Sequence, residues 1–79
     1  MLVRVKLFAT LANYFQGAQP GVPFISEMPV GSTLSDLMER LKLPEEDVKL
    51  TFVNGRLEPR EYQLKNDDEV GIFPPIGGG

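Results

Sequence analysis

Seventy-nine residues, 42% hydrophobic and 24% charged, suffice for one small globular domain with a single core and no deep enclosed active site. The chain has neither cysteine nor histidine, which excludes a disulfide scaffold, Ser-His and Cys-His catalysis, and metal sites built on imidazole or thiolate. A formal net charge of −3 argues against nucleic acid, whose phosphates are neutralised mainly by Lys and Arg, so a protein with this inventory enters a reaction as a substrate or carrier rather than as a self-sufficient catalyst.

The opening Met1-Leu2-Val3-Arg4-Val5-Lys6 is too short and too alternating for a signal peptide. No apolar run approaches the ~20 residues of a membrane-spanning helix. A cytoplasmic protein is expected, and the lack of cysteine fits a reducing compartment. Residues 2–9 alternate as a strand, with Val3, Val5 and Leu7 on one face and Leu2, Arg4, Lys6 and Phe8 on the other. Thr10 to Gly17 reads as a short helix capped by Thr10, with Leu11, Tyr14 and Phe15 sharing a face and Gly17 ending it. Pro20, Gly21 and Pro23 mark a loop, and a second strand follows at 24–28 with Phe24, Ser26 and Met28 on one side.

After the turn Pro29-Val30-Gly31-Ser32, an apolar stripe of Leu34, Leu37, Met38 and Leu41 predicts the main helix. Thr33 with Asp36 forms a capping-box pattern, Ser32 being the alternative cap, and Pro44 is read as the stop. Glu45-Glu46-Asp47 is expected to be a solvated acidic turn rather than a metal site. Lys49 to Val53 is a third strand closed by Asn54-Gly55, a strong hairpin signal. Leu57 to Gln63 reads as a short irregular return strand, Asn66-Asp67-Asp68 as a turn, and Glu69 to Phe73 as the last strand. This order fits an α+β, β-grasp (ubiquitin-like) fold: a mixed sheet of four to five strands on one main helix, with a short extra helix after the first strand. A ferredoxin-like split is the competing arrangement.

Strand parity sends Val70 and Ile72 inward, and Gly71 and Phe73 outward. With Leu50 and Phe52 packed inward, Val53 points outward, so Phe8, Val53 and Phe73 are expected to form an apolar docking patch near the end of the last strand. The alternative for Phe8 is a small secondary core under the Thr10–Gly17 helix. Residues 1–73 are read as the domain and 74–79 as a flexible tail. In that tail Pro74 and Pro75 stop strand pairing, and Ile76 leads to the permissive Gly77-Gly78-Gly79. Stretched from Phe73, the tail spans roughly 20 Å at ~3.3–3.6 Å per residue, enough to thread a narrow channel in another protein. A frayed terminus is the bland alternative. The rigid Phe-Pro-Pro lead-in favours function.

In the order of its pieces the chain resembles the MoaD/ThiS family of sulfur carriers over essentially its whole length. The pieces are Leu7-Phe8-Ala9 ending a strand, Gly31-Ser32-Thr33-Leu34 entering the helix, Val53-Asn54-Gly55, Asp68-Glu69-Val70, and Phe73-Pro74-Pro75 leading to Gly78-Gly79. The resemblance implies that a partner adenylating enzyme uses ATP to activate the C-terminal carboxylate of Gly79. A sulfur donor then converts it to a thiocarboxylate that delivers sulfur in cofactor biosynthesis. It also implies no permanently bound cofactor and no metal, with Pro74, Pro75, Ile76 and Gly77 joining Phe8, Val53 and Phe73 against the partner. The Thr10–Gly17 insert and Phe73-Pro74-Pro75 favour the molybdopterin-synthase small-subunit branch, whose partner is the synthase large subunit. Gly77 departs from that branch, where the residue before the glycine pair is usually not glycine. Tungsten-cofactor, thiamin-type and protein-modifier roles, the last with Gly79 joined to lysines, therefore remain open, as does a plain interaction domain.

Overall fold

The computed structural model describes residues 1–75. Ile76, Gly77, Gly78 and Gly79, on which part of the tail expectation falls, lie outside the described residues. Among the described residues five strands form one mixed sheet: β1 (Leu2–Leu7), β2 (Phe24–Glu27), β3 (Leu50–Val53), β4 (Arg56–Leu57) and β5 (Glu69–Phe73), in the order β2-β1-β5-β3-β4. β1 and β5 run parallel at the centre, and the other neighbouring pairs are antiparallel. One face of this sheet is covered by helix α1 (Leu34–Arg40), giving the β-grasp arrangement.

The central pair explains why the sheet holds. Val3, Val5 and Leu7 of β1 and Val70 and Ile72 of β5 have no exposed surface, and with Leu34, Leu37, Met38 and Leu41 they make one continuous core. Each fully buried aliphatic side chain of this kind contributes about 1.5–3 kcal/mol relative to exposure. α1 starts on the expected capping box: Thr33 Oγ1 accepts the Asp36 N–H at 3.2 Å, and the Asp36 carboxylate accepts the Thr33 N–H at 2.9 Å. Its next free amides are also satisfied, Leu34 N–H by Tyr62 O (3.0 Å) and Ser35 N–H by Arg60 O (2.9 Å). Those two carbonyls come from the stretch expected to be an irregular strand. Only Arg56–Leu57 pairs as β4, and the chain beyond it turns to close the helix start instead.

Pro44 is not the helix stop. α1 ends earlier, where Lys42 takes a left-handed φ of 59° and the amides of Lys42 and Leu43 turn back to the carbonyls of Glu39 and Met38, both at 3.0 Å. Pro44 instead introduces a single 3-10 turn at Glu45–Asp47. The insert after β1 is a 3-10 helix at Ala9–Tyr14, not Thr10–Gly17, and Phe8 rather than Thr10 occupies its cap position. Leu11 and Ala12 are its buried residues, whereas Tyr14 and Phe15 are exposed. Two partners draw them outward: the Tyr14 hydroxyl donates to Asp47 Oδ2 at 2.5 Å, and the Phe15 ring stacks on Phe24 at 4.6 Å.

The parity of β3 is opposite to expectation. Val53 pairs with Val70 and is 2% exposed, so it belongs to the core and not to an outer patch. Thr51, opposite Ile72, is the other inward residue, and its hydroxyl is satisfied by Glu58 O at 2.7 Å. Leu50 and Phe52 face out. The Asn54-Gly55 turn forms as expected, both residues having positive φ (53° and 83°), and Asn54 holds it to the start of β5 through Asp68 Oδ1 (2.9 Å) and Glu69 N–H (3.0 Å). Among the described residues no helix is long and apolar enough to cross a membrane. None of the acidic residues there forms a group of three able to hold a metal ion; in the acidic turn Asp47 accepts from Tyr14 and Glu45 pairs with Arg60.

Candidate functional site

The face of the sheet away from α1 can be laid out from the pairing register. Lys6, Gly71, Phe52 and Leu57 lie in one row across β1, β5, β3 and β4. In the next row, towards the end of β5, Phe73 stands beside Leu50, and Phe8, just past the end of β1, lies against it. Arg4 pairs with Glu69 on the other side.

Gly71 is the bare position in this array. The rings of Phe8 and Phe73 stack beside it, centroids 4.0 Å apart and planes 5° from parallel. Phe52 meets Phe73 edge-on, at 5.5 Å and 79°. Stacked and edge-to-face contacts suit the quadrupoles of aromatic rings and are worth about 0.5–1.5 kcal/mol each beyond their burial. A Cβ at position 71 would meet Phe8 at 3.4 Å and Phe73 at 3.6 Å, ordinary van der Waals contact with both rings. Above Gly71 remains a shallow, mainly apolar hollow of ≈ 240 Å³, bordered by the three rings, Gly55 and the Lys6–Glu69 ion pair. That pair, Nζ to Oε1 at 3.7 Å, is open to solvent and contributes no more than about 1 kcal/mol. Leu57, 61% exposed, extends the apolar surface past Phe52.

Phe8 and Phe73 therefore come together as expected, at the point where the last strand gives way to the prolines. The Phe8 ring stacks on Phe73 and lies beside Gly71 and the Gly21 loop. Pro74 is part-buried and Pro75 exposed. Val53 is excluded by its inward orientation. Phe52 and Leu57 were not anticipated at this face. The signal was present: in a two-residue Asn-Gly hairpin the residues two positions outside the turn pair, so Phe52 and Leu57 must share a face opposite to Val53. Larger hollows of ≈ 500, ≈ 560 and ≈ 380 Å³ open around Val30, Gly31 and Met28 beyond β2; the ≈ 560 Å³ one, bordered by Met1, Tyr62 and Leu64, is mainly apolar, and all of them lie at the end of the sheet where β5 begins, away from Phe73.

The ThiS family model matches residues 5–79. Among solved structures, a protein of Pyrococcus furiosus described as molybdopterin converting factor, subunit 1, is 32% identical, with 96% of this chain and 99% of that one covered at a TM-score of 0.76. SAMP1 of Haloferax volcanii has the same fold at 22% identity, all of both chains covered, TM-score 0.77. The complex of subunits 1 and 2 of molybdopterin-converting factor from Helicobacter pylori contains a chain 22% identical, fully covered both ways, TM-score 0.64. Among curated proteins none matches the chain.

Proposed function

Because this chain belongs to the ThiS family, as a ubiquitin-like sulfur carrier of the MoaD/ThiS type, we propose that it carries sulfur on the α-carboxylate of Gly79. The observation that carries this reading is the extent of the family match, which runs to residue 79 and so includes the glycine end. As a carrier and co-substrate, the chain contributes an acyl group and a surface by which an enzyme holds it.

The chemistry accounts for the residue types. An ionised α-carboxyl, with a pKa of about 3.5, resists nucleophiles. In the proposed cycle a partner adenylating enzyme binds ATP, and a Gly79 carboxylate oxygen attacks its α-phosphorus. Pyrophosphate leaves and an acyl-adenylate remains. Hydrosulfide supplied by the donor then attacks the acyl carbon, expels AMP and loses its proton, leaving a thiocarboxylate. Neither Gly78 nor Gly79 has a Cβ, so the enzyme can close around the reacting carbon. Pro74 and Pro75 stiffen the approach, while Ile76 and Gly77 complete the segment inside the partner. Phe8, Phe52, Phe73 and Leu57 supply the apolar docking face.

The molybdopterin pathway is the favoured setting, with the large subunit of the synthase as sulfur-accepting partner. The 32% identity to the Pyrococcus furiosus protein supports it. ATP-dependent activation would set the reaction in the cytoplasm.

Appending one alanine after Gly79 tests the reading. The carboxylate moves by ~3.3–3.6 Å, beyond the ~3–3.5 Å within which reacting atoms must be held. ATP–pyrophosphate exchange by the adenylating enzyme is expected to be abolished, with folding unchanged. Undiminished exchange from the extended chain would overturn the assignment to Gly79. Isopeptide adducts on lysines in cells would identify a modifier instead.

A further inference from the structure

The turn between β2 and α1 holds one apolar side chain out in water. Pro29-Val30-Gly31-Ser32 closes tightly: Ser32 N–H donates to Pro29 O at 3.2 Å, and Gly31 takes a φ of 95°, which suits glycine. The Ser32 hydroxyl donates to the same oxygen at 2.7 Å, and Met28, just before the turn, is buried. Val30 stands at the tip and is 87% exposed, the most of any large hydrophobic residue among those described. Beside it opens the mainly apolar hollow of ≈ 560 Å³ walled by Met1, Tyr62 and Leu64. Backbone bonds tie wall to turn: Leu64 N–H donates to Ser32 O at 2.8 Å, and Leu34 N–H to Tyr62 O at 3.0 Å. Projection and hollow are therefore held at a fixed spacing, and a partner that uses both has little to order. The two sides of Val30 differ in charge. Lys65 borders the apolar hollow, where no bordering residue is acidic, whereas the ≈ 500 Å³ hollow on the α1 side is bordered by two acids, Asp36 and Glu39, and one base, Arg40. Neither Lys65 nor Glu39 has an ion-pair partner among the described residues.

We propose that this end of the molecule is a self-complementary surface on which a second copy of the chain docks about a two-fold axis. A surface that meets itself must carry both a projection and a recess, and both signs of charge. This one does. In the pair each Val30 enters the other copy's hollow, against Met1, Tyr62 and Leu64, and each Lys65 faces the other copy's Glu39. The signs match only when the apolar-hollow side of one copy lies on the α1 side of the other, which is the arrangement that a two-fold axis between the Val30 turns produces. Each chain has a formal net charge of −3, so two copies repel at a distance, and the Lys65–Glu39 contacts offset that repulsion where they meet. The aromatic face around Phe73 lies at the other end of the sheet and stays open in both copies. The proposal is independent of the role of Gly79.

The experiment is sedimentation equilibrium of the full chain from about 1 µM to about 1 mM, which reads dissociation constants of the same order. Wild type is expected to show a reversible monomer–dimer equilibrium within this range. Val30→Ser, which removes the apolar projection, should weaken the dimer by about 10-fold or more. Lys65→Glu and Glu39→Lys should each weaken it by about fivefold or more, and the two combined in one chain should restore it. All three side chains are exposed, so each variant should keep the cooperative melt of the wild type. A wild-type chain that stays monomeric throughout would overturn the proposal, as would a double charge reversal no tighter than the single ones. A dimer that survives Val30→Ser but is lost in Leu57→Ser would place the contact on the aromatic face and overturn it too.

Discussion

Phe73 joins the last strand, the outer face and the tail. Its ring is only part-buried, with two ring contacts worth about 0.5–1.5 kcal/mol each beyond that burial, whereas a core leucine such as Leu37, with no exposed surface, costs about 2–5 kcal/mol when cut to alanine. Phe73→Ala should therefore lower the thermal midpoint less than Leu37→Ala does, while weakening binding to the adenylating enzyme more. Thermal melts and a binding titration on the two variants check this; a Phe73→Ala chain that unfolds outright would refute the peripheral role of the ring. At this scale the sequence was readable where residue type and burial agree, as with Val3, Val5, Leu7, Val70 and Ile72. It was misleading in β3, because Leu50 and Phe52 look like core and Thr51 does not. The buried threonine is tolerable only because Glu58 O accepts its hydroxyl, a partner seven residues away that no local pattern displays.

Elements with strong local rules formed as read: the Thr33–Asp36 capping box, the Asn54-Gly55 turn and the bounds of β5. Elements defined by tertiary contacts did not. The Ala9–Tyr14 segment packs through Leu11 and Ala12 and is fastened at its far end by Tyr14, whose hydroxyl reaches the Glu45–Asp47 turn. That hydrogen bond to Asp47, with some desolvation and the negative charges of Asp47 and Glu46, raises the Tyr14 pKa above the usual tyrosine value. Since the folded pKa exceeds the unfolded one, the contact stabilises fully below the unfolded value of ~10 and is lost as pH rises through the folded value. Wild type should melt slightly above Tyr14→Phe at neutral pH, with the difference vanishing in alkaline solution. The pair is exposed, so the effect is small. A difference that persists unchanged from neutral to strongly alkaline pH would contradict the assignment.

For the whole molecule, every buried residue of the continuous core among the described residues lies between Val3 and Ile72. A chain ending at Phe73 is accordingly expected to keep its secondary structure and melt cooperatively, as circular dichroism would show, while losing all activity as a carrier. Large destabilisation would mean that residues 74–79 pack on the domain. The fold was legible because helix stripe and strand alternation point to one buried layer. The full outer face was not, since Phe52 and Leu57 join it only through the register of β3, β4 and β5. The central claim, that sulfur is carried on Gly79, is tested most directly by intact mass. The protein is incubated with the adenylating enzyme, ATP and a sulfide source, then fragmented. A gain equal to one oxygen replaced by sulfur, confined to the fragment ending in Gly79, is the predicted result; an unchanged mass, or a gain elsewhere in the chain, would contradict it.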